Sequence, residues 1–202
     1  MKFIAFDLET TGLNSVRDRI VEIGAVLFDG AQIVDRHSTL IDPEIPVPPI
    51  ISEITGITNQ MVKGKPLVED AIKDLAVFCG ELPLVAHNAP FDFKFLSEAI
   101  KKHQTEAPKG VVLDTLPLTR KIYPGLPNYK LGTLVNHFNF PSGTFHRAEE
   151  DSVYCGLLFA KLIQTLEMRG EPFAEEDLIQ LTGKKSLFFP QCLPKTDQLD
   201  LF

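Results

Sequence analysis

Residues 2–12 read Lys-Phe-Ile-Ala-Phe-Asp-Leu-Glu-Thr-Thr-Gly. The period-two pattern predicts a strand over residues 2–8. Phe3, Ala5, Asp7 and Glu9 share one face, while Ile4, Phe6 and Leu8 share the other. Asp7 and Glu9 are thus neighbours on one side, with Cα atoms roughly 6.5–7 Å apart. Two carboxylates this close repel unless one is protonated or a cation lies between them. Thr10, Thr11 and Gly12 end the strand in a turn of small residues with free backbone N–H groups. Taken alone, Asp-x-Glu is also what a solvated strand end looks like.

Outward from this strand the chain continues as a sheet. Residues 19–28 form a second apolar stretch, Asp29-Gly30 is a hairpin signal, and residues 32–41 return. The chain therefore opens with antiparallel strands. Pro43, Pro46, Pro48 and Pro49 predict an extended loop. Apolar residues at helical spacing predict helices over 68–79, 91–103, 114–123, 130–137 and 147–168. Short buried strands are expected at 82–86 and 111–113, and one or two helical turns at 175–181. From Thr182 onward, Lys184, Lys185, Pro190, Pro194 and Lys195 suggest a poorly ordered tail. The order of elements gives an α/β fold, a mixed β-sheet flanked by helices.

Composition agrees with a folded domain. Of 202 residues, 44% are hydrophobic and 23% charged, which excludes a disordered, collagen-like or disulfide-scaffold chain. No run approaches the ~18 apolar residues of a membrane span, so no membrane partner is expected. Acids interrupt the first apolar stretch at once, unlike a signal peptide. Cys79, Cys155 and Cys192 are odd in number and lack metal-site spacing, which reads as reduced thiols in a cytoplasmic protein. Twenty basic against 27 acidic residues give a net charge of −7. A chain living on phosphate contacts alone would be basic. Phosphates could still be bound locally, through metal ions held by the acids.

Two further constellations carry chemistry. The segment His87-Asn88-Ala89-Pro90-Phe91-Asp92 ends a buried strand and opens a helix, where ligand sites favour the carboxyl ends of strands. Asp92 in a first turn also complements the helix dipole, and His87 reads as a structural group bonded within its loop. The segment 146–151 reads His-Arg-Ala-Glu-Glu-Asp. Were all of it helical, His146 and Asp151 would stand about 140° apart and could not share a site. If the helix starts after His146, both can converge, and a mobile imidazole suits a general base. Glu149 and Glu150 read as solvated first-turn acids.

Together, Asp-x-Glu-Thr-Thr-Gly, His-Asn-x-x-Phe-Asp and His-x-x-x-x-Asp resemble the DEDDh group of DnaQ-like 3′–5′ exonucleases. The likeness extends over residues 2–166, and includes the loop Ile54-Thr55-Gly56-Ile57 and the start Tyr129-Lys130-Leu131-Gly132. It is strongest to the proofreading epsilon subunit of bacterial DNA polymerase III and to PolC-type exonuclease domains. It implies a ribonuclease H-like fold and two divalent ions flanking the scissile phosphate. By that resemblance Asp7 bridges both ions, Glu9 and Asp151 hold the ion of the attacking water, Asp92 supports the second, and His146 is the general base. Oxygen ligands without cysteine favour Mg²⁺ or Mn²⁺. Thr10, Thr11, Gly12 and Leu13 would meet the terminal nucleotide, and Thr55 matches a substrate contact of relatives. For Leu13 and Thr55, a core contact and a turn residue are the plain structural readings.

The chain is expected to divide into an exonuclease domain over 1–168 and an extension over 169–202. Its last residues, Gln198-Leu199-Asp200-Leu201-Phe202, resemble the peptide by which replication proteins dock on the sliding clamp. Leu201 and Phe202 would fill an apolar pocket, with Gln198 and Leu199 beside them. Residues 184–190 could contact a polymerase catalytic subunit, or pack on the domain. The leading expectation is a nuclease acting on single-stranded or frayed DNA 3′ ends. An exoribonuclease of the same superfamily and a non-catalytic clamp tether are the alternatives.

Overall fold

A computed structural model describes residues 1–141 and 147–192. Five strands form one sheet: β1 (Lys2–Thr10), β2 (Ile20–Asp29), β3 (Gln32–Leu40), β4 (Leu84–Ala86) and β5 (Val112–Asp114). Their order is β3-β2-β1-β4-β5. The first three pair antiparallel, while β4 and β5 run parallel to β1. The sheet is mixed, as expected, and β1 lies at its centre.

The helices are α1 (Pro49–Thr55), α2 (Asn59–Val62), α3 (Val68–Cys79), α4 (Pro90–His103), α5 (Thr115–Ile122), α6 (Leu131–His137), α7 (Ala148–Arg169) and α8 (Glu175–Thr182). The alternation along β1 sorts them. Ile4, Phe6 and Leu8 pack with Ile72, Leu75, Phe95 and Leu96 of α3 and α4. Phe3 and Ala5 pack on the other side with Leu118 of α5 and Leu158, Phe159 and Leu162 of α7. Asp7 and Glu9 share that second face, so they point toward α7. Among the described residues, no helix is long and apolar enough to cross a membrane.

Two expectations are corrected. The proline loop after β3 runs without helix through Pro48, as expected, but Pro49 already opens α1, and α2 follows it. Proline is excluded from a helix interior but suits a first turn. Gly56, at φ 74°, then stops it. Asn59 clips this segment shut: its Oδ1 accepts from Val47 N at 2.8 Å and its Nδ2 donates to Val47 O at 3.1 Å.

The second correction concerns the chain after Thr182. Val112 N donates to Leu187 O at 2.8 Å, which adds a bridge to the free edge of β5. Phe189 is 2% exposed. Its ring stacks on Phe93 at 5.1 Å and meets Phe6 edge-on at 6.3 Å. Lysines and prolines around this stretch suggest a solvated tail, yet Leu187 and Phe189 alternate inward around an exposed Phe188. Residues 193–202, with Gln198, Leu199, Leu201 and Phe202, lie outside the described residues, as does His146.

Candidate active site

The carboxyl end of β1 delivers Asp7 and Glu9, and α7 delivers Asp151 from its first turn. One carboxylate oxygen from each of Asp7, Glu9 and Asp151 lies within 4.8 Å of the others. The helix can come this close because β2 carries Gly24 opposite Asp7. A Cβ at Gly24 would overlap the backbone of Ala148 and Glu149. Ser152 Oγ fastens the contact, its one proton shared between Gly24 O at 3.0 Å and Ala148 O at 2.6 Å. Further along, Gly156 seats α7 directly on the Phe28 ring.

Asp92 enters from the first turn of α4 and is 3% exposed. Its loop is braced from β5: Asp114 Oδ1 accepts from Asn88 N at 3.0 Å and from Leu116 N at 2.9 Å. Asn88 takes a left-handed φ of 66° there. His87 is locked between Thr115 Oγ1 and Tyr129 O, each at 2.8 Å. Burial pulls its pKa below the usual histidine value, so it stands as a neutral bracket, structural as its sequence suggested but bonded to Thr115 and Tyr129 rather than within its own loop.

The electrostatics follow from packing acids together under cover. Burial raises Asp7 well above the usual carboxylate range, and Asp92, Asp151, Glu9 and Glu22 add repulsion. Burial pushes Glu9 up to about 7, with Asp151 and Glu22 adding to it and Arg147 opposing. Burial pushes Asp92 up to about 8, offset in part by backbone N–H groups of Asp92 and Leu8. A cluster that repels itself this strongly fits a cation. The donors are all hard oxygens, which suits a divalent ion of the Mg²⁺, Mn²⁺ or Ca²⁺ kind.

Around the acids the expected substrate residues take different places. Thr10 Oγ1 donates to Gly12 O at 2.6 Å, and Thr11 Oγ1 accepts from Arg19 N at 2.9 Å. Both hydroxyls thus shape the turn. Leu13 is 87% exposed. It rims a cleft of ≈ 220 Å³ with Asn88, Phe91 and Lys94. Thr55 is not part of that cleft, and its hydroxyl serves its own helix end, donating to Ile51 O at 2.9 Å and accepting from Ile57 N at 3.1 Å.

Three residues of the site escaped the sequence reading. Glu22 is 1% exposed and pairs with Arg147 at 2.6 Å. Asp114 holds the Asn88 loop. A lone acid inside the apolar run Ile20-Val21-Glu22-Ile23 was the available signal for Glu22. Glu149, read as a solvated acid, stays 34% exposed while pairing with Arg36 of β3 at 2.9 Å. Glu150 by contrast keeps Oε2 buried without a hydrogen-bond partner, unlike a solvated acid.

Comparisons with known proteins bear on this arrangement. A family model described as Exonuclease (RNase_T) matches residues 4–159. The DNA polymerase III subunit epsilon of Treponema pallidum (strain Nichols) is 40% identical over 163 residues, covering 80% of this chain and 76% of that protein. DNA polymerase III PolC-type of Caldanaerobacter subterraneus subsp. tengcongensis is 41% identical over 169 residues, 84% of this chain. The chain spans only 12% of that polymerase's length. Among solved structures, Exonuclease X in complex with 5′ overhanging duplex DNA superposes with a TM-score of 0.72 at 29% identity, covering 90% of this chain and 99% of that one. A full-length 3′-exonuclease shares the fold at a TM-score of 0.71 and 17% identity. From the family match and the epsilon relative, the chain belongs to the exonuclease (RNase_T) family, whose members depend on divalent metal.

Proposed function

We propose that this chain is a 3′–5′ exonuclease that removes nucleoside 5′-monophosphates from DNA 3′ ends, in polymerase proofreading or in repair. The observation that carries this reading is the convergence of Asp7, Glu9 and Asp151 oxygens within 4.8 Å, with buried Asp92 repelling Asp7 from α4. Asp7 feels the charge of all three other acids and would serve two Mg²⁺ or Mn²⁺ ions, Glu9 and Asp151 one of them, Asp92 the second. When bound, two such ions supply Lewis-acid stabilisation of the attacking and leaving oxygens of an in-line displacement.

The protein's own groups do the rest. Thr10, Thr11 and Gly12 would meet the terminal nucleotide through the turn at the strand end, where Thr11 N already donates to Arg19 O at 2.8 Å, and Leu13 would offer an apolar edge to the terminal base. Thr55 would act from farther off, through its backbone. His146, one residue before the start of α7's cap, would take the proton of the attacking water. The acid-rich surface gives little grip on a matched duplex, which favours single-stranded or frayed ends. The names of the epsilon and PolC-type relatives support the proofreading setting. Residues 198–202 would dock on a sliding clamp, and a polymerase catalytic subunit would be a second partner.

The test is a time course on 5′-labelled single-stranded, paired and mispaired DNA, with RNA alongside, each with and without Mg²⁺. Metal-dependent shortening from the 3′ end, fastest on single-stranded and mispaired DNA, is expected. Faster shortening of RNA would make the chain an exoribonuclease. No hydrolysis of any substrate would leave a tethering role.

A further inference from the structure

Helix α7 begins without a cap of its own, since the side chain of its N-cap residue, Arg147, makes no capping bond. The cap comes from across the sheet. Glu22 Oε2 accepts from Ala148 N at 3.0 Å. The same carboxylate receives the Arg147 fork, Nη2 at 2.6 Å and Nε at 3.2 Å from both oxygens. Arg147 O in turn accepts from Asp151 N at 3.0 Å. An unbroken chain of bonds therefore runs from Glu22 through Arg147 to the backbone of Asp151. Glu22 itself stands opposite Glu9 in the β1–β2 ladder.

A buried carboxylate beside a cluster that already repels itself is costly unless paired. Glu22 is therefore useful to the site only in company with Arg147. The fork cancels its charge and fixes its direction, and Oε2 accepts from the helix end as well as from the fork. We propose that Glu22 and Arg147 are positioning residues for the metal site: they set the seating of the first turn of α7, and with it the distance from Asp151 to Asp7 and Glu9. This rests on the reading of those acids as metal ligands. The neighbouring Arg36–Glu149 pair joins β3 to the same turn, but its side chains are 46% and 34% exposed. Such a pair contributes little, and makes an internal control.

The experiment is calorimetric titration of Mn²⁺ into the metal-free full-length chain, with a thermal melt of each variant. Glu22→Gln/Arg147→Met removes one charge of each sign, so the net charge near the ions is unchanged and a loss of affinity reports geometry. Its Kd for Mn²⁺ should rise roughly 10- to 100-fold, the range for groups that orient metal ligands. Arg147→Lys, which keeps the charge but loses the fork, should show a smaller rise, and Arg36→Ala none beyond about twofold. A folded double variant that binds Mn²⁺ like the wild type, or, should it not fold, an Arg147→Lys chain that does so, overturns the inference. A wild-type chain that takes up no Mn²⁺ overturns the metal-site reading itself.

Discussion

Gly24 faces Asp7 across the β1–β2 ladder, and its missing side chain is the space through which α7 reaches the carboxylates. The closeness of Asp151 to Asp7 thus depends on a residue with no chemistry of its own. Gly24→Ala should push the first turn of α7 outward. Because the added Cβ would meet backbone, relief by a side-chain rotation is closed. A loss of roughly 1–3 kcal/mol is expected from overpacking. Urea denaturation measures it, and Mn²⁺ titration should show weaker binding in the same variant.

Asp7→Ala should abolish hydrolysis and leave the fold intact. Asp7 is held among acids that repel it, so its removal relieves strain in the metal-free protein. The metal-free variant should melt at or above the wild-type temperature at pH 8. Near wild-type turnover with Mg²⁺ would make the two-ion assignment wrong.

The metal-free chain should lose stability as the pH rises. Asp7, Glu9 and Asp92 hold their protons more tightly folded than unfolded, Glu9 up to about 7 and Asp92 up to about 8. The folded state therefore binds more protons, and the slope of unfolding free energy with pH is negative. Their contribution is fully present below about pH 4, the unfolded carboxylate range, and is lost through about pH 8. Added Mg²⁺ replaces the protons, so its stabilising effect should grow from pH 6 to pH 8. Melting curves at fixed Mg²⁺ across that range check this, and a flat response would contradict the burial of the acids.

Phe189→Ala should cost about 3–5 kcal/mol, the usual range for emptying a buried aromatic site. The ring fills the space between Phe6 on β1 and Phe93, the neighbour of Asp92 on α4. Chemical denaturation of the full chain measures the loss. Phe188→Ala, at a residue 57% exposed, is the control and should change little.

Leu201→Ala/Phe202→Ala should remove binding to a sliding clamp and leave hydrolysis of short oligonucleotides unchanged. A short peptide has few other groups to bury, so most of its affinity rests on such anchors. A pull-down with purified clamp compares the two chains. Undiminished capture of the double variant would return these residues to a plain apolar tail.

The sequence by itself determined what repeats at short range. Alternation over residues 2–9 placed Asp7 and Glu9 on the same face as Phe3 and Ala5, because a strand's pleat is a local property. Helical spacing located α3, α4 and α7 for the same reason, and put the start of α7 after His146. Where local signals misled, composition had stood in for contacts: prolines hid α1, and lysines hid the burial of Leu187 and Phe189. The likeness of the three motifs implied that Asp92 and Asp151 join the β1 carboxylates, but two separate helix starts do not by themselves say that they meet, and the tertiary structure is what brings them together. It alone made Gly24 a passage, and joined Glu22 to Arg147. Gly24 and Ala148, Glu22 and Arg147, and Asp7 and Asp151 stand more than a hundred positions apart, while Asp92 stands 85 from Asp7; the first three relations exist only once the sheet and α7 have packed face to face, which no periodicity within either segment encodes.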